Sequence, residues 1–274
     1  MTTRRASSAE FSDFARRIRI IVLEESRRAN VGHIGSALSI AEIVAAIYLG
    51  VLDPSERSEP DRDRFILSKG HAALALYAAL HLSGSIDRAE LETYCGDGTR
   101  LGVHPEHQLP GVDFSTGSLG HGLSIAAGAA LAGSLLASVR RVFVVLSDAE
   151  CNEGSVWEAA MFAGHHHLSN LIAIVDMNGQ QALGYTKDIL DLEPMAARWR
   201  AFGWDVIEVD GHDADRMADL MNTGNSVSGP PRVLLARTTF GKGVSFMEGR
   251  VKWHYMPMSG EEFAQAIDEV GSIP

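Results

Sequence analysis

The sequence predicts an α/β fold in which a parallel sheet is flanked by helices on both faces. From residue 142 onward, short β-branched runs at 142–146, 171–175, 205–209 and 233–236 alternate with helix-like stretches at 154–167, 194–202 and 214–221. A strand, helix, strand order needs crossover connections, and these leave successive strands parallel with their carboxyl ends side by side. The runs at 142 and 171 are apolar throughout, as in strands buried on both faces.

The elements before residue 142 read as helices. Residues 2–9 lack apolar periodicity and predict a polar arm over 1–10, with one domain over 11–274 because no linker-like composition break divides the chain. Phe11, Phe14, Ile18, Ile21 and Val22 form one helical stripe. Ser39 with Glu42 predicts a capping box opening a helix over 40–49. The Ala- and Gly-dense stretch 118–136 predicts a helix whose small side chains let other backbones approach closely.

Twenty-four basic against 35 acidic residues leave a net charge of −11, which argues against a nucleic-acid surface and supplies no basic stripe for anionic membranes. No apolar run of membrane-spanning length and no signal peptide is apparent, which predicts a cytoplasmic protein. Cys95 and Cys151 are too far apart to read as a zinc or redox pair. The run His165, His166, His167 is no metal cluster on a helix, because adjacent residues point in different directions.

The chemistry-bearing residues follow the strands. Asp148 follows the run at 142–146 within Ser147-Asp148-Ala149-Glu150-Cys151-Asn152-Glu153-Gly154, and Asn178 follows the run at 171–175 within Asp176-Met177-Asn178-Gly179-Gln180. Ligands of open α/β sheets bind at such strand ends. A carboxylate and an amide oxygen suit a hard cation such as magnesium, and the start of a helix near Gly154 suits an anion. Taken alone, Asp148 and Asn178 equally suit turn positions. His33, His71, His104, His121 and His254 lie in Gly-, Ser- or Pro-flanked loops, where imidazoles can line a polar pocket or shuttle protons.

These motifs resemble the transketolase family. The resemblance rests on Asp148, Glu153 and Asn178 with the segments between them, on Gly32-His33-Ile34-Gly35, Leu67-Ser68-Lys69-Gly70-His71-Ala72 and His104-Pro105-Glu106, and on Thr116-Gly117-Ser118-Leu119-Gly120-His121-Gly122, Gly241-Lys242-Gly243 and Trp253-His254. It implies the thiamine diphosphate-binding fold, with thiamine diphosphate and Mg2+ as cofactors. The resemblance implies that Asp148, Asn178 and the backbone carbonyl near Gln180 hold the metal. It places His71 and His254 at the diphosphate and reaction centre, His33 near the acceptor oxygen and His104 near the donor hydroxyls. It also places Gly117, Ser118, Leu119, Ala149, Glu150 and Glu153 at the cofactor, although Glu153 reads equally as an acid in a helix first turn. The helix within 118–136 lies near a subunit contact in the family, so core helix and contact helix are both open readings.

The expected activity is transfer of a two-carbon ketol unit from a ketose or ketose phosphate to an aldehyde. The resemblance covers only the diphosphate-binding part of a full transketolase. It therefore implies a separate partner subunit holding the pyrimidine-binding domain, in an α2β2 assembly. Another thiamine-dependent acyloin synthesis, or a degenerate cofactor- or partner-binding subunit, are the alternatives. The chain departs from the family at Ala149 and Tyr255, where Gly is common, and at Ser118 and His121, where Pro and Gln are usual. A left-handed conformation at Ala149 would be strained.

Overall fold

The computed structural model of the chain describes residues 6–53, 59–223 and 229–273. Five strands, β1 (Arg64–Leu67), β2 (Val142–Ser147), β3 (Leu171–Met177), β6 (Asp205–Asp210) and β7 (Arg232–Arg237), form one sheet in the order β1-β2-β3-β7-β6. Every neighbouring pair is parallel. A small antiparallel pair, β4 (Gln180–Gln181) and β5 (Gly184–Tyr185), stands beyond the end of β3.

The helices are α1 (Ser8–Ala29), α2 (Ile34–Ser39), α3 (Ala41–Gly50), α4 (Ala73–Leu82), α5 (Arg88–Leu91), α6 (Gly122–Leu135), α7 (Gly154–His165), α8 (Thr186–Ile189), α9 (Met195–Ala201), α10 (Ala214–Asn222) and α11 (Gly260–Gly271). Alternate strand residues feed two cores, as the period of two demands. Phe143, Val145, Ile172, Ile174 and Leu234 face α1, α3, α4, α10 and α11. Val144, Leu146, Ala173, Val175 and Leu235 face α6, α7 and α9. Both faces are covered, which is why β2 and β3 read as unbroken apolar runs.

Four expectations need correction. The N-terminal half is not wholly helical, because Arg64–Leu67 is an edge strand paired with β2. Four residues are too few to display a period, so only the pairing reveals it. The polar arm is shorter than ten residues: Ser7 and Glu10 form a capping box and the helix starts at Ser8, while residues 1–5 lie outside the described residues. Ser39 and Glu42 form no capping box. Ser39 donates to Asp176 and Glu42 binds Arg19, so tertiary partners outcompete the local motif. The 154–167 helix ends at His165, leaving His167 in a left-handed turn.

The Ala/Gly-dense stretch forms α6, which packs as a core helix along most of its length. Leu123, Ala126 and Ala130 pack on the sheet, whereas Leu135 and the following Leu136 stand 78% and 71% exposed. No helix of the described residues is long and apolar enough to cross a membrane.

Candidate functional site

The chain runs β1-β2-β3 across the sheet, jumps to the far edge at β6 and returns to β7 beside β3. The strand order thus reverses between β3 and β7, and the crevice at their carboxyl ends is the position for a ligand. The register pairs Ser147 with Asp176, so the loops after β2 and β3 leave the sheet at one level. Asp148 Oδ2 accepts the Gly179 N–H at 2.7 Å and Asn178 Oδ1 accepts the Gln180 N–H at 2.9 Å. One turn is therefore flanked by both of the side-chain oxygens expected to hold a metal.

Opposite this turn three imidazoles meet. The His33, His71 and His254 rings stand 5.4–5.5 Å apart, centroid to centroid. His33 is held at φ 60°, a left-handed conformation costing an L-residue about 1–2 kcal/mol. Its N–H donates to the His254 carbonyl at 3.0 Å, and this tie fixes the bend. The Tyr255 carbonyl lies 2.1 Å from where a Cβ on Gly32 would stand, so the two segments meet this closely only with glycine.

Together these segments line a cleft of about 270 Å³ that also includes Gly117, Leu119, Ala149, Glu153 and Gln180. Burial lowers all three imidazole pKa values. His33 is lowered further by His104, and His254 falls to about 4 with help from His33 and Lys69. His71 falls well below 6.5, with Lys69 adding to burial. All three are therefore neutral near pH 7 and able to accept a proton. His71 Nε2 is bonded to Ser36 Oγ at 2.8 Å, whereas the buried Nδ1 atoms of His33 and His254 have no partner.

The donor set fits a hard cation with an anionic ligand. Burial and the neighbouring Asp176 push Asp148 up to about 7, the signature of a carboxylate short of positive charge. Two oxygen donors of this kind suit magnesium. Ala149 lies in a one-turn 3-10 helix, Ala149–Asn152, and is not among the residues of positive φ, so replacing Gly here brings no strain.

Several expected residues fall elsewhere. His104 and Ser118 line an adjoining hollow that meets the cleft at Gly117. Glu150 is fully buried, and its carboxylate accepts from Ser68 Oγ, the Gly120 N–H and the Ser147 N–H. It braces the loop after β2 instead of facing the cleft. Glu153 lines the cleft and is exposed. Cys151 is buried with its thiol pKa raised well above normal by burial, as expected of a packing residue.

The sequence reading did not find the centre of the network behind the cleft. Asp176 accepts from Lys69 Nζ at 2.5 Å, Ser39 Oγ at 2.8 Å, Asn178 Nδ2 at 2.7 Å and Thr238 Oγ1. Lys69 and Asp176 are both fully buried. The pair neutralises its own charge while anchoring Asn178, and removing one partner strands the other. Lys69 stood within a recognised motif, but nothing local points it at Asp176.

Comparison with known proteins settles the family. Residues 11–274 match the family described as transketolase, thiamine diphosphate binding domain. The chain belongs to the transketolase family, as its thiamine diphosphate-binding domain. It is 42% identical over 256 residues to the 6-deoxy-6-sulfo-D-fructose transketolase subunit SqwG of Clostridium sp. (strain MSTE9), covering 92% of this chain and 93% of that protein. It is 41% identical to an apulose-4-phosphate transketolase subunit of Phocaeicola vulgatus, covering 89% of this chain and 87% of that one. The transketolase of Campylobacter jejuni superposes with a TM-score of 0.90 at 28% identity, covering 98% of this chain and 45% of that one. The chain thus spans less than half of that solved transketolase.

Proposed function

We propose that the chain is the diphosphate-binding subunit of a two-subunit, thiamine diphosphate- and magnesium-dependent transketolase. It moves a two-carbon ketol unit from a ketose or ketose phosphate to an aldehyde, in the cytoplasm, in an α2β2 assembly with a separate subunit that holds the pyrimidine-binding domain. The observation that carries this reading is one cleft in which the turn from Asn178 to Gln180, with buried Asp148 bonded to its Gly179 N–H, faces three neutral imidazoles. Relatives of matching length in Clostridium and Phocaeicola vulgatus are named as transketolase subunits, which supports a divided enzyme.

Asp148 Oδ and Asn178 Oδ1, with the Gln180 carbonyl, would hold the divalent cation, which would supply positive charge for an anionic cofactor. Thiamine diphosphate, when bound, supplies the electron sink for carbon–carbon bond cleavage. His33 and His254 line the cleft as neutral imidazoles and exchange protons with the reacting oxygens. His71, steered by Ser36, would contact the diphosphate. His104 in the adjoining hollow serves the donor hydroxyls. Ala149 without strain removes one reason to regard the site as degenerate.

Replacing His71 or His254 by Ala, assayed with the partner subunit, is expected to lower kcat by about 10²–10⁴-fold, the usual weight of a proton-transfer group. The melting temperature should barely move, because the cleft imidazoles are surrounded by loops and by each other. Equal loss of folding and activity would make these histidines structural and overturn their assignment.

A further inference from the structure

The turn after β7 is gripped at both ends by side chains outside the cleft. The Thr239 N–H donates to His212 Nε2 at 2.9 Å, and Arg19 Nε donates to the Lys242 carbonyl at 3.0 Å. Glu42 joins the two grips. Arg19 donates to both of its carboxylate oxygens at 2.6 and 2.7 Å, and His212 Nδ1 lies 2.9 Å from Oε2. With Nε2 accepting from Thr239, the ring proton sits on Nδ1 and points at Glu42. Although burial opposes it, Arg19 and His212 hold the Glu42 carboxyl at about 2, so a carboxylate stands there throughout the neutral range.

The gripped turn carries Phe240 into the cleft wall. The Phe240 ring lies nearly parallel to His254, 6.1 Å between centroids and 8° between planes. Gly35 also packs against the ring, which a Cβ there would approach to 2.1 Å, and the Gly241 N–H donates to the Gly35 carbonyl at 3.0 Å. A shift of the turn therefore moves an aromatic wall directly behind the His254 imidazole.

We propose that His212 is a positioning residue for the cleft: backed by Glu42 and Arg19, it fixes the Thr239–Lys242 turn so that Phe240 keeps water from His254. This goes beyond the proposed function and does not depend on it. The competing role is a structural one, in which His212 merely ties α3 to the loop after β6.

The test uses the unligated full chain and two variants that divide the two bonds of His212. In His212→Gln the longer amide reaches the Nε2 position and still accepts from Thr239. In His212→Asn the shorter amide reaches the Nδ1 position, keeping Glu42 and losing Thr239. The readout is the NMR titration of the His254 imidazole, whose surroundings are Phe240, His33, His71, Tyr255 and the more distant charge of Lys69.

In His212→Asn the His254 pKa is expected to rise from about 4 towards 6.5 by about one unit or more, because water reaches the ring. In His212→Gln it should stay near the wild-type value. Phe240→Leu, which leaves the grip intact, should raise it as His212→Asn does, and this variant decides the matter if His212→Asn does not fold. Lower melting temperatures in both His212 variants with an unmoved His254 titration would establish the structural role and overturn the proposal. An unmoved titration in Phe240→Leu would do the same.

Discussion

Asp148→Ala is expected to weaken magnesium-dependent binding of thiamine diphosphate by more than about a hundredfold, because the diphosphate loses the charge bridge that a divalent ion supplies through a carboxylate. Calorimetry on the chain assembled with its partner, with Mg2+ present and in excess chelator, measures it. Unchanged affinity in the variant, or full binding in chelator, would remove the metal assignment. A second signature separates this loss from unfolding. The unligated protein holds Asp148 with a pKa raised from 3.8 to about 7, chiefly by burial and then by Asp176. A carboxyl whose folded pKa lies above its unfolded one costs stability when ionised. That cost is absent below 3.8, grows through the window from 3.8 to 7 and is complete above it, reaching about 4 kcal/mol. The stability of Asp148→Ala relative to wild type should therefore fall by about 2–3 kcal/mol between pH 8 and pH 5. The Ala149 and Gly179 amides that lose their acceptor contribute a constant penalty at every pH. A pH-independent difference would show that Asp148 ionises normally in the fold.

The purified chain by itself is expected to show no ketol transfer, and addition of the partner subunit should create thiamine-dependent transfer from a ketose such as xylulose 5-phosphate to an aldehyde. The released aldose is the measure. The cleft is open in this chain, and apolar side chains that water does not favour lie in it or next in sequence to its lining residues: Tyr255 is 57%, Leu183 77% and Met256 54% exposed. A second protein body covering them would also exclude water from His33 and His254. Among the described residues, Glu153 is the carboxylate that lines the cleft, and it is exposed. Robust turnover by the rigorously purified single chain would refute the divided-enzyme reading.

The fold class and much of the site were legible in the chain because their signals are local. Unbroken apolar runs announced β2 and β3, and the crossover rule alone placed Asp148 and Asn178 side by side, as the pairing of Ser147 with Asp176 bears out. Family motifs brought His33, His71 and His254 to one cleft, where the rings now stand in a triangle. Other features had no local signal. Arg64–Leu67 is a strand only because β2 offers it a hydrogen-bonding edge. Ser39 and Glu42 look like a cap in sequence, yet buried Asp176 and Arg19 are stronger partners than a backbone amide that water can satisfy. Glu150 and Glu153 are three residues apart and equally acidic, but the turn between them buries the first as a brace and leaves the second at the cleft. The Lys69–Asp176 pair and the grip of Arg19, Glu42 and His212 join positions 107 and up to 223 residues apart. Local periodicity and spacing determine which elements form and where ligands can bind, whereas the desolvated partnerships that set charge and side-chain position exist only once distant segments exclude water together.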